Sequence, residues 1–467
     1  MFVKTRFAPS STGVLHIGSM RTALYSWLFA KHHQGNFVLR IEDTDIKRSN
    51  KIFINNILKT LQWLGIVWDE GPYLQSDRIC IYKEKIIEML DLGFAYKCYC
   101  STNRLTKIRT SQILKGEKPC YDRKCRNKKY NYNNKEYVIR FKNPLNGEVS
   151  FQDSIRGRIL FNNTELDDLI IQRRNGMPTY NFCVVIDDID MKITHIIRGE
   201  DHINNTPRQI NIIQALNAKV PVYAHVSMII DSKKQNLSKR KNALSVLEYK
   251  EYGFLKESIL NFLIKLGWSY GNREIFSLEE MKKLFSIHKI SKSSSECNFE
   301  KLIWFNHYYL NTLPINDYLI QNFQYQLKKL KINFSSGPSL FKIIKFLRHR
   351  CNNFQEMAMQ SRYFFEEYTN ISGTLIKKYY FNDYHTIIKI LYEKLCNICN
   401  WNAKEIMKIL KKISENFHTA LKNICMLLRI FITGSDVSPS ISTIMEILGK
   451  FNSLKRIKKY CMIIHQK

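Results

Sequence analysis

Residues 2–41 read as strand, turn, helix and strand in tight succession, and few folds accept that order. Phe2 to Phe7 alternates like a half-buried strand, and Pro9-Ser10-Ser11-Thr12-Gly13 is turn chemistry. Ile17, Met20, Leu24 and Leu28 recur at helical spacing until Gly35, and Phe37-Val38-Leu39-Arg40-Ile41 follows as a second strand. A strand that turns into a helix and returns to a strand is the mononucleotide-binding half of a doubly wound fold. It puts His16 and Gly18 where the helix begins, a place whose backbone amides and partial positive charge favour a phosphate.

A second helix carrying Ile54, Ile57, Leu61 and Leu64 leads into Trp68-Asp69-Glu70-Gly71-Pro72-Tyr73. From about 80 to 190 the texture changes. The basic, polar stretch Thr106 to Asn134 precedes strand-like runs such as Tyr137-Val138-Ile139-Arg140-Phe141, which together suggest an insertion. Buried-strand texture is expected again at Asn181-Phe182-Cys183-Val184-Val185-Ile186 and at Ile193 to Ile197, and helices from Glu248 onward. The formal net charge is +31, and an excess of that size points to an anionic partner, nucleic acid first. Beyond Asn311, 24 Lys or Arg stand against 10 Asp or Glu, a net of +14. A composition biased toward lysine on any tolerant surface is the plainer account of the same charge. No apolar run approaches the roughly 20 residues that span a bilayer, so no membrane partner is expected. Twelve irregularly spaced cysteines and no secretory pattern suggest reduced thiols and a cytoplasmic setting.

The segment Arg6 to Ser19 has a distant counterpart, Asn236-Leu237-Ser238-Lys239-Arg240, on a polar stretch after Asp231-Ser232-Lys233-Lys234. Ser-Lys-Arg alone is common on basic loops; its weight comes from the pairing with His16-Ile17-Gly18-Ser19. In that order and spacing the two segments resemble the signature motifs of the class I aminoacyl-tRNA synthetases. The phrases Trp63-Leu64-Gly65, Glu165 to Ile171 and Arg198 to Ile210 narrow the resemblance to bacterial-type glutamyl-tRNA synthetases. It runs from Phe2 to about Leu310, and more loosely through Leu428-Arg429-Ile430, Thr433-Gly434 and Leu448-Gly449-Lys450.

The resemblance implies an α/β, Rossmann-type doubly wound catalytic domain with an inserted α+β acceptor-stem domain, followed by an all-helical anticodon-binding region. The implied division is 1–80 and 191–245 for the catalytic halves and 81–190 for the insertion. A helical stem-contact domain would occupy 246–311 and the anticodon-binding domain 312–467. The implied partners are L-glutamate, ATP with Mg2+, and tRNA(Glu), in a monomer. Adenylate formation is expected to require bound tRNA. Charging of tRNA(Gln) as well, or a non-catalytic tRNA-binding derivative, are the alternatives.

By the same resemblance His16 and Lys239 are catalytic, placed to stabilise the transferring phosphoryl group, and Ser10, His16, Gly18, Ser238 and Lys239 hold ATP. Arg6, Ser10, Glu42, Tyr180 and Arg198 hold glutamate, since arginine's planar fork suits a carboxylate and Glu42 an ammonium. Asp201 suits a hydroxyl or amine nearby; an internal ion pair with Arg198 at a strand end is its structural alternative. The chain departs from the family where Asn236 stands for a lysine, Lys241-Asn242 for a His-Gly pair, and Ser11 for a proline.

Cys98-x-Cys100 with Cys125 suggests a tetrahedral zinc site in the insertion. Asn127 occupies the position of the family's usual fourth ligand and is a poor one for Zn2+, which leaves Tyr121 or Cys120. Three free thiols without metal are the other reading. Arg104, Lys107, Arg109, Lys115, Lys118, Arg123, Lys124 and Arg126 would give this insertion phosphate contacts.

Overall fold

The computed structural model describes residues 2–44, 50–128, 136–235, 244–367, 378–379 and 384–464. It divides into two compact units, Met1–Lys250 with Lys256–Phe305, and Glu251–Leu255 with Asn306–Lys467.

The first unit opens with β1 (Lys4–Phe7), α1 (Ile17–His32), β2 (Asn36–Ile41), α2 (Lys51–Leu64) and β3 (Glu70–Leu74). It continues through α3 (Ile79–Asp91), β4 (Ala95–Cys98), α4 (Thr102–Leu114), β5 (Val138–Phe141), β6 (Glu148–Asp153), β7 (Gly157–Asn162) and β8 (Ile170–Gln172). Then come α5 (Tyr180–Asp190), β9 (His195–Gly199), α6 (Thr206–Ala215) and β10 (Val222–Val226).

β1 pairs in parallel with β2, Thr5 facing Phe37, and β2 with β3. On the other side of β1, Thr194 N–H donates to Lys4 O at 2.9 Å, which brings β9 alongside. β10 lies parallel to β9 with His225 opposite Arg198, and β6 and β7 close that edge. The parallel strands thus run β3, β2, β1, β9, β10, with the winding reversing between β1 and β9. Beyond the carboxyl ends of strands at such a reversal lies the crevice where doubly wound folds bind ligands. α1 covers this sheet: Met20, Ala23, Leu24, Tyr25, Leu28 and Ala30 are fully buried, so the helix is apolar around most of its girth. A separate antiparallel sheet, β4–β5–β8, belongs to the inserted region.

One expectation fails here. Residues 181–186 are not a strand but the body of helix α5. The run Phe182–Ile186 is buried throughout, and an apolar run of that length fits a buried helix as well as a buried strand. Thr179, in extended conformation, starts the helix, and Asp187 and Asp188 extend it, both buried. The strand expected at Ile193 to Ile197 begins two residues later, at His195.

The second unit is helical, without a strand among the described residues. Asn316, Asn353 and Asn402 cap three of its helices by accepting backbone N–H bonds from Leu319, Glu356 and Glu405, and left-handed Gly434 ends a fourth. Among the described residues no helix is long and apolar enough to cross a membrane.

Candidate active site

The carboxyl ends of β1, β2, β9 and β10 and the start of α1 enclose a cavity of about 650 Å3. Arg6, Ser10, His16, Gly18, Glu42, Tyr180, Arg198 and Asp201 all line it. Residues separated by up to 195 positions are therefore brought together as their motifs implied. Asn236, Leu237, Ser238, Lys239, Arg240, Lys241 and Asn242 lie outside the described residues.

His16 is the N-cap of α1. Its Nδ1 accepts from the Gly18 N–H at 3.1 Å and the Ser19 N–H at 3.4 Å. Burial lowers its pKa, opposed by Asp201, so the neutral ring is favoured. With Nδ1 accepting, the proton sits on Nε2, which lies 3.1 Å from Ser19 Oγ. The ring that caps the helix thereby keeps one N–H, which faces the Ser19 hydroxyl at the rim of the pocket. A Cβ at Gly18 would stand 3.0 Å from His16 Cε1, so any larger residue there would press on the capping ring. The nearest crowding atoms are thus the His16 ring's own.

Arg6, on β1, points into an acidic nest. Its Nε lies 3.4 Å from Asp188 Oδ1, which also accepts from Arg40 Nη1 at 2.7 Å. Arg40, fully buried in β2, has Asp187 at 3.4 Å and Glu42 at 3.7 Å. Gln75 and Tyr82 donate to Asp187 at 2.8 and 2.9 Å, while Arg40 Nε and Nη2 and Arg6 Nε face carboxylates only at ion-pair distance. Ser10 and Glu42 are paired by a β-bridge, with Glu42 N–H donating to Pro9 O at 2.9 Å. Burial pushes the Glu42 carboxyl up to about 7, against the pull of Arg40 and Arg6.

The opposite side is built differently. Arg198 Nε–H donates to His225 Nε2 at 3.2 Å, Nη1 to Gln209 Oε1 at 2.9 Å, and Nη2 to Thr206 Oγ1 at 2.8 Å. Among the described residues no carboxylate pairs with it, so the ion pair weighed between Arg198 and Asp201 does not form. Asp201 instead lies 3.8 Å from His202 Nε2. Burial lowers the pKa of Arg198, and the neighbouring Arg6 charge lowers it further. A buried cation with neutral partners favours an anionic ligand. Tyr180 Oη lies 3.3 Å from His202 Nδ1, and burial raises its phenol pKa.

Sequence reasoning missed Arg40, Asp187, Asp188, His202 and His225. A charged residue inside the apolar strand Phe37–Ile41 was a readable signal for Arg40; His225 and His202 offered none.

In the inserted region the ligand sulfur atoms of Cys98, Cys100 and Cys125 lie within 4.8 Å of one another, all three residues buried. The Tyr121 hydroxyl sits among them, 3.2 Å from Cys98 Sγ, 3.5 Å from Cys100 Sγ and 3.1 Å from the Cys125 N–H. Cys120 turns its Sγ to the Tyr121 carbonyl at 3.7 Å, outside the cluster, and Asn127 is exposed. Three soft sulfurs with one phenol oxygen form a donor set that fits a tetrahedral zinc ion.

Residues 2–304 match the family of class I tRNA synthetases (E and Q), catalytic domain, and residues 317–461 match an anticodon binding domain. The glutamate–tRNA ligase of Buchnera aphidicola is 55% identical over 458 residues, covering 98% of each chain. The chain belongs to the class I glutamate–tRNA ligases. Two solved structures of this family share the fold at 30% identity. The crystal structure of a glutamate tRNA ligase from Elizabethkingia meningosepticum in complex with its amino acid aligns with a TM-score of 0.85 over 99% of both chains. The enzyme from Elizabethkingia anophelis aligns at 0.82 over 99% of this chain and 100% of its own. The cavity and the thiol cluster both fall within the span matched to the catalytic domain.

Proposed function

We propose that this chain joins L-glutamate to tRNA(Glu) in two steps. A glutamate α-carboxylate oxygen attacks the α-phosphorus of ATP, and pyrophosphate leaves. A hydroxyl of the terminal ribose of tRNA then attacks the carbonyl carbon of glutamyl-adenylate, and AMP leaves. The observation that carries this reading is the pair of buried guanidiniums, Arg6 and Arg198, facing one cavity beside the start of α1. They supply two positive charges to the side-chain carboxylate, while Glu42 with Ser10 takes the α-ammonium and Tyr180 closes that end. Neutral His16 and the partial positive charge at the start of α1 take the phosphates. Mg2+ enters with ATP, held largely by the phosphates themselves. Lys239 adds a second cation to the leaving pyrophosphate, an interaction that raises rate when it forms only in the transition state.

Zinc, where bound, is held by Cys98, Cys100, Cys125 and Tyr121 and supplies a structural cross-link between β4 and the loop after α4. Residues 81–190 then serve the acceptor stem, between catalytic halves 1–80 and 191–245. Residues 246–311 contact the tRNA stem and 312–467 the anticodon. All described cysteines are free, which supports a cytoplasmic, reducing setting.

The test is charging of separate tRNA(Glu) and tRNA(Gln) transcripts with labelled glutamate and ATP, beside Lys239→Ala. Acid-precipitable product that falls by about 10^2-fold or more in the variant is expected. No product on either tRNA, with tRNA still bound, would overturn the reading in favour of a binding derivative.

A further inference from the structure

Behind Arg198 stands a buried pair that the proposed chemistry does not use. His225, on β10 directly opposite Arg198, is 0% exposed, and Asp153, at the end of β6, is 1% exposed. Asp153 Oδ2 lies 2.6 Å from His225 Nδ1. The carboxylate also accepts backbone N–H bonds from Ile155 at 2.9 Å, Arg156 at 2.8 Å and His225 itself at 3.1 Å. Burial pushes the Asp153 carboxyl up, but the bonds from His225 and these amides outweigh it and hold the pKa below the ordinary range. Burial also lowers His225, so the pair is an imidazole beside a carboxylate rather than two charges.

A neutral imidazole has one donor and one acceptor, and the Asp153 carboxylate fixes which is which. Nδ1 carries the proton, and the Nε2 lone pair faces Arg198 Nε–H at 3.2 Å and Thr206 Oγ1 at 3.1 Å. In the other tautomer two N–H groups would meet head-on. With Nε on His225, Nη1 on Gln209 and Nη2 on Thr206, three of the five guanidinium protons of Arg198 are anchored. One remains on each terminal nitrogen for a ligand. Gln209 is itself held by donating to Asn181 Oδ1 at 3.0 Å.

We propose that His225, with its tautomer set by Asp153, is a positioning residue for glutamate recognition: it aims the Arg198 fork at the substrate carboxylate without neutralising its charge. A carboxylate in place of His225 would hold the arginine as firmly but would compete with the substrate for it. An imidazole acceptor orients and leaves the charge to the ligand. The inference rests on the reading of Arg198 as a glutamate-binding residue.

The experiment measures KM for glutamate, KM for ATP and kcat in tRNA(Glu) charging for the wild type, Arg198→Ala, His225→Leu, His225→Gln and Asp153→Asn, with thermal melts of each. His225→Leu removes the acceptor, and its expected effect is a rise in KM for glutamate of about 10- to 100-fold with KM for ATP within about twofold. Gln offers an amide N–H to Asp153 and a carbonyl to Arg198, so His225→Gln is expected within about threefold of wild type. Asp153→Asn keeps the shape but loses the charge that selects the tautomer, and is expected between the two. Should His225→Leu not fold, the contrast between His225→Gln and Asp153→Asn carries the decision. A KM for glutamate within about twofold of wild type in folded His225→Leu, or equal losses for glutamate and ATP, would overturn the proposal. Should Arg198→Ala leave KM for glutamate unchanged, the underlying assignment of Arg198 fails instead, and with it this inference.

Discussion

The two arginines of the cavity sit in opposite electrostatic settings. Arg6 has Asp188 within ion-pair distance, and behind it Arg40, Asp187 and Glu42 form a buried ionic nest. Arg198 has only neutral acceptors: an imidazole, an amide and a hydroxyl. A guanidinium whose charge is already shared with a carboxylate gains less from an incoming anion than one held by neutral groups. The Arg198 side is thus the stronger anion receptor, and the Arg6 side reaches, through Asp188 and Arg40, the residue proposed to take the ammonium, Glu42. One substrate with both charges fits that division.

The comparison breaks most directly at the arginines themselves. Arg198→Ala is expected to lower kcat/KM for glutamate by roughly 10^2- to 10^4-fold, the cost of deleting one member of a buried charge pair. Arg6→Ala is expected to cost about tenfold less, because Asp188 keeps Arg40 at 2.7 Å after the loss. Steady-state charging at varied glutamate measures both. A larger loss in Arg6→Ala would reverse the assignment of the stronger receptor.

Much of this division could be read from one contiguous stretch, and Glu42, Tyr180 and Arg198 through the family resemblance, but not the buried partners that hold the two arginines. Arg6, Ser10, His16 and Gly18 lie within 13 positions of one another on a strand, turn and helix whose local signals agree. The acidic nest was hidden by a misread period: Phe182–Ile186 looks like a buried strand, and a strand would place Asp187 and Asp188 on opposite faces. In helix α5 both are buried against Arg40. The Asp153–His225 pair is 72 residues apart and joined only by the packing of β6 on β10, which no periodicity encodes. The thiol cluster was legible in its spacing, but only the fold separates Tyr121, among the sulfurs, from Cys120, one residue away and facing outward.

Glu42 sharpens the comparison through pH. Its folded-state pKa is raised to about 7, chiefly by burial, above the ordinary carboxylate value. The protonated form therefore favours folding: its contribution to stability is present below the unfolded pKa and is lost as pH rises through about 7. On the proposed role of Glu42, glutamate binding has the opposite sign, since an ammonium needs the carboxylate. The expected profile of kcat/KM for glutamate falls toward acid below about pH 7, by up to tenfold per unit. Glu42→Gln is expected to be slow across the range and to lack that acid limb. An unchanged limb in the variant would assign the titration elsewhere and leave the Arg6 side without its coupling to the ammonium.

The smallest expected effect lies away from both arginines, at the thiol cluster. Tyr121→Phe removes the one oxygen among the three sulfurs and nothing else of the ring, which keeps the Arg140 guanidinium stacked 3.8 Å from its centroid. If the phenol is the fourth ligand, zinc affinity should fall by about tenfold or more, read by competition with a chromogenic chelator. Cys120→Ser should leave affinity unchanged, because its sulfur faces a carbonyl outside the cluster. Glutamate KM should not move in either variant, and kcat/KM for tRNA should fall only a few-fold, the size expected on the proposed acceptor-stem role of residues 81–190. Equal zinc content and affinity in wild type and Tyr121→Phe would leave the three thiols as the whole protein ligand set, with the fourth position open. The absence of zinc from the purified wild type at stoichiometric supply would reduce the cluster to a packed, hydrogen-bonded trio of thiols.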